Sequence, residues 1–289
     1  MVSRELRSLK KSFLDKDFLK RVPSVNDFNQ LVDYPCNAYD DNNNLIFCYR
    51  EILDLRLASR LNDACEKTPF QKGTRTGGLK TESNIFGYRP RNPVRMNHNI
   101  CSATSMSRDY LSIHSVLVEG ANAFGLWLNE INPLVYGQQK NYLSEKILPE
   151  YRIGDCFTSG IINRNNPLQY HKDQGNIPDS WSVMSVFKHH VEGGYLILPC
   201  YEIAIELKHN SIITFSGQSI VHGVSPIKML SKTSRRYSIV WYTQEMLKHC
   251  LPCKEEIARA RQMRDEYETR RRAKDTIKVL DEILTKTEN

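Results

Sequence analysis

The tripeptide His171-Lys172-Asp173 holds the clearest chemical potential in this sequence. On an extended segment residues i and i+2 point the same way, so this imidazole and this carboxylate would converge on one point. His222 follows 49 residues after Asp173, in the strand-like stretch Ser219-Ile-Val-His-Gly-Val224. Four strand-like segments lie between them, enough for a late strand to return beside an early one. Two imidazoles and a carboxylate on one side of a metal form the facial triad of non-haem Fe(II) oxygenases, whose other positions stay open. Open positions are needed to hold a co-substrate and O2 together. Arg235 and Arg236 then open a strand-like run to Tyr242, where alternation puts Arg236, Ser238, Val240 and Tyr242 on one face. An Arg followed two residues later by a hydroxyl can grip a carboxylate through a bidentate pair and one hydrogen bond, as the far carboxylate of 2-oxoglutarate requires.

Each piece alone has a bland alternative. A lone His in a strand is usually a core or edge residue, and an Arg at a strand start is usually a solvated cap. Order, spacing and joint occurrence carry the iron and 2-oxoglutarate interpretation. A rival pair, His190 and Glu192, sits at the Gly193-Gly194 turn only 30 residues before His222, too few strands to bring it back to the metal.

Such a site needs elements to position it. Short β-branched and aromatic runs, cut by Gly, Pro and Asn, occupy 156–163, 181–187, 194–198, 201–207, 211–215, 219–224 and 236–242. The pattern predicts a jelly roll. Ahead of it, periodicity predicts helices over 3–21, 52–65, 107–131 and 140–148, a polar loop over 39–44, and aperiodic, turn-rich chain over 71–98. From Lys254 a helix resumes, with Ile257, Ala260, Met263, Tyr267, Ile277, Leu280 and Leu284 as its apolar stripe around a charged middle. The expected fold is α+β: a double-stranded β-helix (jelly-roll, cupin-like) core with flanking N-terminal helices and a long C-terminal helix. Residues 1–150 form the helical and basic-loop part, 151–245 the catalytic core and 246–289 the C-terminal helix, all in one structural domain.

Composition narrows the class. With 40% hydrophobic and 25% charged residues, the 289-residue chain is not wholly disordered. No apolar run approaches the roughly 20 residues that cross a bilayer. The first residues are charged, with no apolar core, so a secretory signal is not expected. Glycines and prolines are too scattered for collagen, and no fixed-period repeat suggests a solenoid. The expected compartment is the cytoplasm (the host's for a viral chain), or the nucleus in a eukaryote. Eight cysteines are then read as reduced thiols, and the lone Cys250-Leu-Pro-Cys253 lacks the second pair that a zinc site wants.

From about 157 to 244 the chain resembles the TET/JBP group of Fe(II)- and 2-oxoglutarate-dependent dioxygenases. These oxidise the methyl group of 5-methylpyrimidines in DNA and include phage members. The resembling motifs are HKDQGN from His171, VEGGYLILP from Val191, Val221-His-Gly223 and RYSIVWYTQ from Arg236. The resemblance implies that His171, Asp173 and His222 ligate iron and are the catalytic centre. Arg236, rather than Arg235, holds 2-oxoglutarate together with Ser238, and O2 is the other co-substrate. Asn176 matches the Asn that animal members set against a flipped base, and Tyr242 matches an aromatic that stacks on it. Gln244 stands where those members have a His contacting the cytosine ring, which is a departure. Their large cysteine-rich zinc region has no counterpart here, so this would be a compact member.

The implied reaction is hydroxylation of 5-methylcytosine to 5-hydroxymethylcytosine in double-stranded DNA, with the base flipped out of the stack. Thymine is the main rival substrate, because an Asn amide can accept from the cytosine N4 amine or donate to the thymine O4. A 2-oxoglutarate dioxygenase on a non-DNA substrate and a non-catalytic DNA-binding module are the other readings. For DNA, the 71–98 segment offers Lys72, Arg75, Lys80, Arg89, Arg91 and Arg95 against one acid, Glu82, with Phe86 and Tyr88 interleaved. A basic loop of this kind suits phosphate contact by Arg75, Lys80, Arg89, Arg91 and Arg95, although an ordinary solvated loop looks alike. The net charge of +7 permits such a partner without requiring it.

Overall fold

In the computed structural model, which describes residues 4–74, 79–92 and 99–287, two sheets pack face to face. The strands and helices run in the order β1 (Arg4–Leu9), β2 (Gln30–Val32), β3 (Cys36–Asp40), β4 (Leu45–Glu51), α1 (Leu55–Lys67), β5 (Gln71–Thr74), β6 (Lys80–Arg89), β7 (Ser102–Ala103), α2 (Ser105–Asp109), α3 (Leu111–Ile131) and α4 (Pro133–Lys146). They continue as β8 (Ser159–Arg164), β9 (Leu168–His171), β10 (Ser182–His189), β11 (Val191–Gly193), β12 (Leu196–Leu198), β13 (Ile203–Ile205), β14 (Ser211–Phe215), β15 (His222–Val224), β16 (Ile227–Met229), β17 (Arg235–Tyr242) and α5 (Cys253–Thr287). The major sheet has the order β1-β3-β4-β14-β10-β17-β8-β6-β5, with β7 on β6. The minor sheet has the order β2-β13-β12-β15-β9, and β11 and β16 make a separate ribbon.

Central strands β10 and β14 are apolar and buried almost throughout, because both of their faces are covered. One face meets Leu196, Leu198, Ile203 and Ile205 of the minor sheet. The other meets helices α1 and α3. Asp54 caps α1 by accepting from the Leu57 amide at 2.9 Å, and Leu57, Ala58, Leu61, Ala64 and Cys65 line its buried side. On α3, Gly120 lets the helix backbone close on Trp241, whose indole N–H donates to the Leu117 carbonyl at 3.0 Å. That contact seats α3 against β17, the strand that carries Arg236 and Ser238. The fold is thus the expected α+β jelly roll, with helices buttressing one face of the major sheet.

Three expectations are corrected. Residues 3–21 are not a helix: Arg4–Leu9 is a strand parallel to β3, and Asp15–Asp17 is a single 3-10 turn. The register shifts between Leu6 and Leu9, with Ser8 at φ 61°, so two leucines three apart face the same core. A bulge has imitated helical spacing. Residues 71–98 are not simply a loop, because β5 and β6 form a hairpin and β6 pairs with β8 from Glu82 to Gly87. Buried Thr81 and Asn84 and the positive-φ Gly87 hide its alternation. The cysteines are not all reduced: Cys101 and Cys250 form a disulfide across 149 residues, which no local spacing could show. The other six are free, and only Cys253 among them is exposed.

Helix α5 is anchored at its start. The Glu256 side chain is fully buried and accepts from the Leu251 and Cys101 amides at 3.0 and 3.1 Å and from Arg91. Farther along, Tyr267, Ile277 and Leu280 are more than half exposed, so that part of the apolar stripe does not pack on the sheets; the Leu284 side chain lies outside the described residues. Among the described residues no helix is long and apolar enough to cross a membrane.

Candidate active site

Strands β9 and β15 pair antiparallel with His171 directly opposite His222. Their rings lie 4.4 Å apart between centroids. Asp173 follows β9, held by its amide donating to the Gly217 carbonyl at 2.9 Å. Its Oδ1 lies 3.5 Å from His171 Nε2 and 3.7 Å from His222 Nε2. The ligand atoms of these three residues all fall within 4.8 Å of one another. Each imidazole has its Nδ1 against a backbone carbonyl, Gln169 at 2.8 Å and Ile220 at 2.9 Å. Both Nδ1 atoms must therefore carry the proton, which leaves both Nε2 lone pairs aimed at the space near Asp173. Burial lowers the pKa of His222, with Asp173 acting against it, and a neutral imidazole is the form that binds metal.

Gly217, which no sequence motif marks, makes room for this cluster. A Cβ there would lie 2.9 Å from Asp173 Cγ and closer still to its carboxylate oxygen. Its only sequence signal is a turn between two strand-like runs. Phe215 adds an apolar wall, edge-on to His222 at 5.0 Å.

Strand alternation works as expected on β17. Ser238, Val240 and Tyr242 line the same cavity as the His-Asp-His cluster. Arg235 points the other way and pairs with Glu66 of α1 at 2.6 Å. Arg236 is 2% exposed and its pKa is lowered by burial to about 10. Among the described residues its Nη2 has no hydrogen-bond partner. A buried guanidinium donor without an acceptor is costly unless a ligand supplies one, and a carboxylate would. Gly194, at φ +66°, gives Arg236 its room, because a Cβ there would lie 2.9 Å from its Cδ and Nε. The donor set and the orphaned guanidinium together fit Fe(II) and a dicarboxylate co-substrate.

The cavity is about 460 Å³ and contains more than the sequence singled out. Asn163 and Asn166 lie near Ser238, with Asn163 Nδ2 at 3.5 Å from its Oγ and Asn166 Nδ2 at 3.2 Å from Asn163 Oδ1. At another part of the wall, Asn176 and Gln244 meet in an isolated backbone bridge. The Asn176 side chain is buried with Nδ2 at 3.4 Å from Ser182 Oγ, and Gln218 donates to its carbonyl. Burial pushes the Tyr242 phenol up to about 12, while a hydrogen bond from Gln244 acts in the other direction. The rival pair is elsewhere: His190 stacks on His189 at 3.9 Å and Glu192 pairs with Lys228 at 2.9 Å.

Of the basic residues, Arg75 and Arg95 lie outside the described residues. Lys80 opens β6 and is exposed. Arg89 ends that strand half-buried, its Nε donating to Ser102 Oγ at 3.2 Å, and burial followed by the nearby Arg108 lowers its pKa. Arg91 does not stand ready for phosphate, because its guanidinium is committed to buried Glu256.

Comparison with known proteins follows the same lines. The chain is similar in fold to NgTET1, solved in complex with 5mC DNA, with TM-score 0.58, 16% identity, and coverage of 86% of this chain and 85% of that one. A 2OG-Fe(II) oxygenase-family oxidoreductase from Burkholderia pseudomallei matches with TM-score 0.44 and 12% identity over 69% of this chain and 88% of that one. No curated protein matches by sequence. The family model Tet_JBP, described as the oxygenase domain of the 2OGFeDO superfamily, matches residues 89–245. That superfamily uses Fe(II), 2-oxoglutarate and O2, and the match spans more than half of the sequence, so the chain belongs to the Tet_JBP family of oxygenases.

Proposed function

We propose that this oxygenase hydroxylates the methyl group of 5-methylcytosine in double-stranded DNA, yielding 5-hydroxymethylcytosine. The observation that carries the proposal is one cavity wall: Tyr242, Asn176 and Gln244 face the same space as His171, Asp173 and His222. An aromatic face and two amides are the equipment for reading an extruded base. The relative of similar fold was solved with 5mC DNA, which supports the same substrate class here.

In this scheme His171, Asp173 and His222 hold Fe(II), and their fixed Nδ1 protons keep both imidazoles in the binding tautomer. Arg236 and Ser238 hold the far carboxylate of 2-oxoglutarate. The bound iron, with 2-oxoglutarate and O2, supplies the oxidant that hydroxylates a methyl group and releases succinate and CO2. Tyr242 offers a face for the flipped base, Asn176 and Gln244 contact its polar edge, and Lys80 and Arg89 engage backbone phosphate.

A second substrate, thymine, fits the same wall, because the Asn176 and Gln244 side-chain amides each offer a donor and an acceptor, and the thymine N3–H and O4 need one of each. Matched duplexes whose methylated base is only 5-methylcytosine or only thymine separate the two. After incubation with Fe(II), 2-oxoglutarate and O2, nucleoside mass spectrometry should show 5-hydroxymethylcytosine accumulating faster. Equal or faster 5-hydroxymethyluracil would assign thymine, and no modified nucleoside with continued succinate formation would assign a non-DNA substrate.

A further inference from the structure

β9 carries the first metal ligand and is an edge strand of only four residues, paired on one side to β15. Its other side is occupied by the chain segment between β1 and β2. The Lys20 amide donates to the Tyr170 carbonyl at 2.8 Å, and the Tyr170 amide donates to the Arg21 carbonyl at 2.9 Å. Both backbone groups of the residue before His171 are thus fixed by this segment. The Tyr170 ring is 1% exposed and meets Phe18 edge-on at 5.6 Å. Its hydroxyl donates to Asp27 at 3.0 Å, and Asp27 is itself held by the Ser24 amide at 2.7 Å and by Arg21 at 3.1 Å. On the other side of His171, Lys172 pairs with Asp15 at 2.5 Å. The residues flanking the first ligand on each side are therefore pinned by one N-terminal segment.

We propose that residues 12–29 act as a strap that sets the metal site, with Asp27 and Tyr170 as positioning residues for His171 and Asp173. The physical reason is the shortness of β9. Four residues with one paired edge cannot fix two ligand side chains by register alone, and a metal site loses affinity when its supporting contacts let the ligands wander. Asp27 touches no ligand atom in its described hydrogen bonds, so it acts through Tyr170. This inference rests on the reading of His171, Asp173 and His222 as metal ligands.

The test measures Mn(II) affinity of the full-length chain by calorimetry and the absorption spectrum of the Co(II)-loaded protein, well below the melting temperature. Asp27→Asn and Tyr170→Phe should each weaken Mn(II) binding by about tenfold or more and alter the Co(II) bands, as loss of supporting contacts does elsewhere. The double variant should be little worse than Tyr170→Phe alone, because that change already removes the contact that Asp27→Asn weakens from a charged to a neutral acceptor. Tyr170→Phe leaves the Asp27 charge in place, so an equal effect excludes simple through-space attraction of the cation. It also keeps the ring packing, so it decides the matter should Asp27→Asn fail to fold. Val25→Ala, at an exposed strap position, should bind as wild type. If folded Tyr170→Phe lowers the melting temperature but keeps wild-type Mn(II) affinity and Co(II) bands, the strap is structural only. His171→Ala separates the two levels: wild-type Mn(II) binding in that variant overturns the metal reading itself, whereas lost binding there with unaffected strap variants overturns the strap alone.

Discussion

The major sheet reaches the cavity through β17, an eight-residue strand paired along its length to β10 on one side and β8 on the other. The minor sheet reaches it through β9 and β15, of four and three residues, with a register shift between them. The two carry different tasks. β17 presents Arg236, Ser238 and Tyr242 by alternation, backed by Trp241 against α3, with Gly194 leaving room for the Arg236 side chain. β9 and β15 present the His pair only with outside help: two carbonyls that orient the rings, Gly217 beneath the carboxylate, and the N-terminal strap. A doubly paired strand is a ruler in itself, whereas a short edge strand must be held. The proposed co-substrate grip should therefore respond to changes on β17 and at Gly194 beside Arg236, and the proposed metal site to changes at several distant positions.

The sharpest break is at the proposed metal ligands. His171→Ala or Asp173→Ala should abolish 2-oxoglutarate-dependent succinate formation, because a three-ligand site has none to spare. Turnover at the wild-type rate in either variant would remove the minor sheet from the chemistry altogether.

Next come the two arginines of β17. Removing a charge-assisted hydrogen bond costs about 1.5–3 kcal/mol, so Arg236→Ala should raise the KM for 2-oxoglutarate by roughly 10- to 150-fold. Arg235→Ala, which loses only a half-exposed pair with Glu66, should change it less than about threefold. Steady-state titration of 2-oxoglutarate compares them, and equal shifts would mean that alternation does not assign the grip.

A pair of glycine variants separates the sheets most directly. Gly217→Ala drives a methyl into the Asp173 carboxylate and should weaken metal affinity about tenfold, with little change in the 2-oxoglutarate KM at saturating metal. Gly194→Ala pushes on Arg236 and should do the reverse. Metal titration and KM measured on both variants check the crossing pattern. Two variants that shift both constants together would show the cavity to be one mechanical unit.

The same difference explains what was legible in the sequence. β10, β14 and β17 announce themselves through apolar and alternating residues, because each is long and buried. The His-Asp-His set was legible because i and i+2 chemistry needs only an extended backbone. The strap was not: its contacts join Asp15 and Asp27 to residues more than 140 positions away, with no periodicity to mark them. β1 and β6 do not show as strands in the sequence because a bulge and buried polar residues disguise their alternation. Gly217 and the Cys101–Cys250 bond are long-range facts that no local pattern carries.

The smallest effect concerns DNA, where exposed and buried basic residues should part company. Lys80 is exposed at the start of β6, whereas Arg91 is spent on Glu256. Each phosphate contact contributes about 0.9 to the slope of log affinity against log salt. Lys80→Gln should therefore flatten that slope by about one contact, with stability unchanged. Arg91→Gln should leave the slope alone and instead destabilise the start of α5, because Glu256 would keep its burial but lose its nearer cation, with only Arg259 left at 3.7 Å. Burial raises the Glu256 pKa, but Arg91 and the Leu251 and Cys101 amides outweigh it, so the carboxyl sits below its ordinary value. A carboxylate depressed in the folded state adds stability at neutral pH that fades as pH falls through its folded pKa. The Arg91→Gln deficit should thus be largest near pH 7 and shrink below about pH 4, where Glu256 begins to protonate in the unfolded chain and then in the folded one. Thermal melts across that range and duplex-binding isotherms at several salt concentrations measure both quantities. A changed salt slope in Arg91→Gln with an unchanged melting temperature would return Arg91 to the DNA-facing surface and leave the start of α5 held by the disulfide and the Glu256 amide bonds.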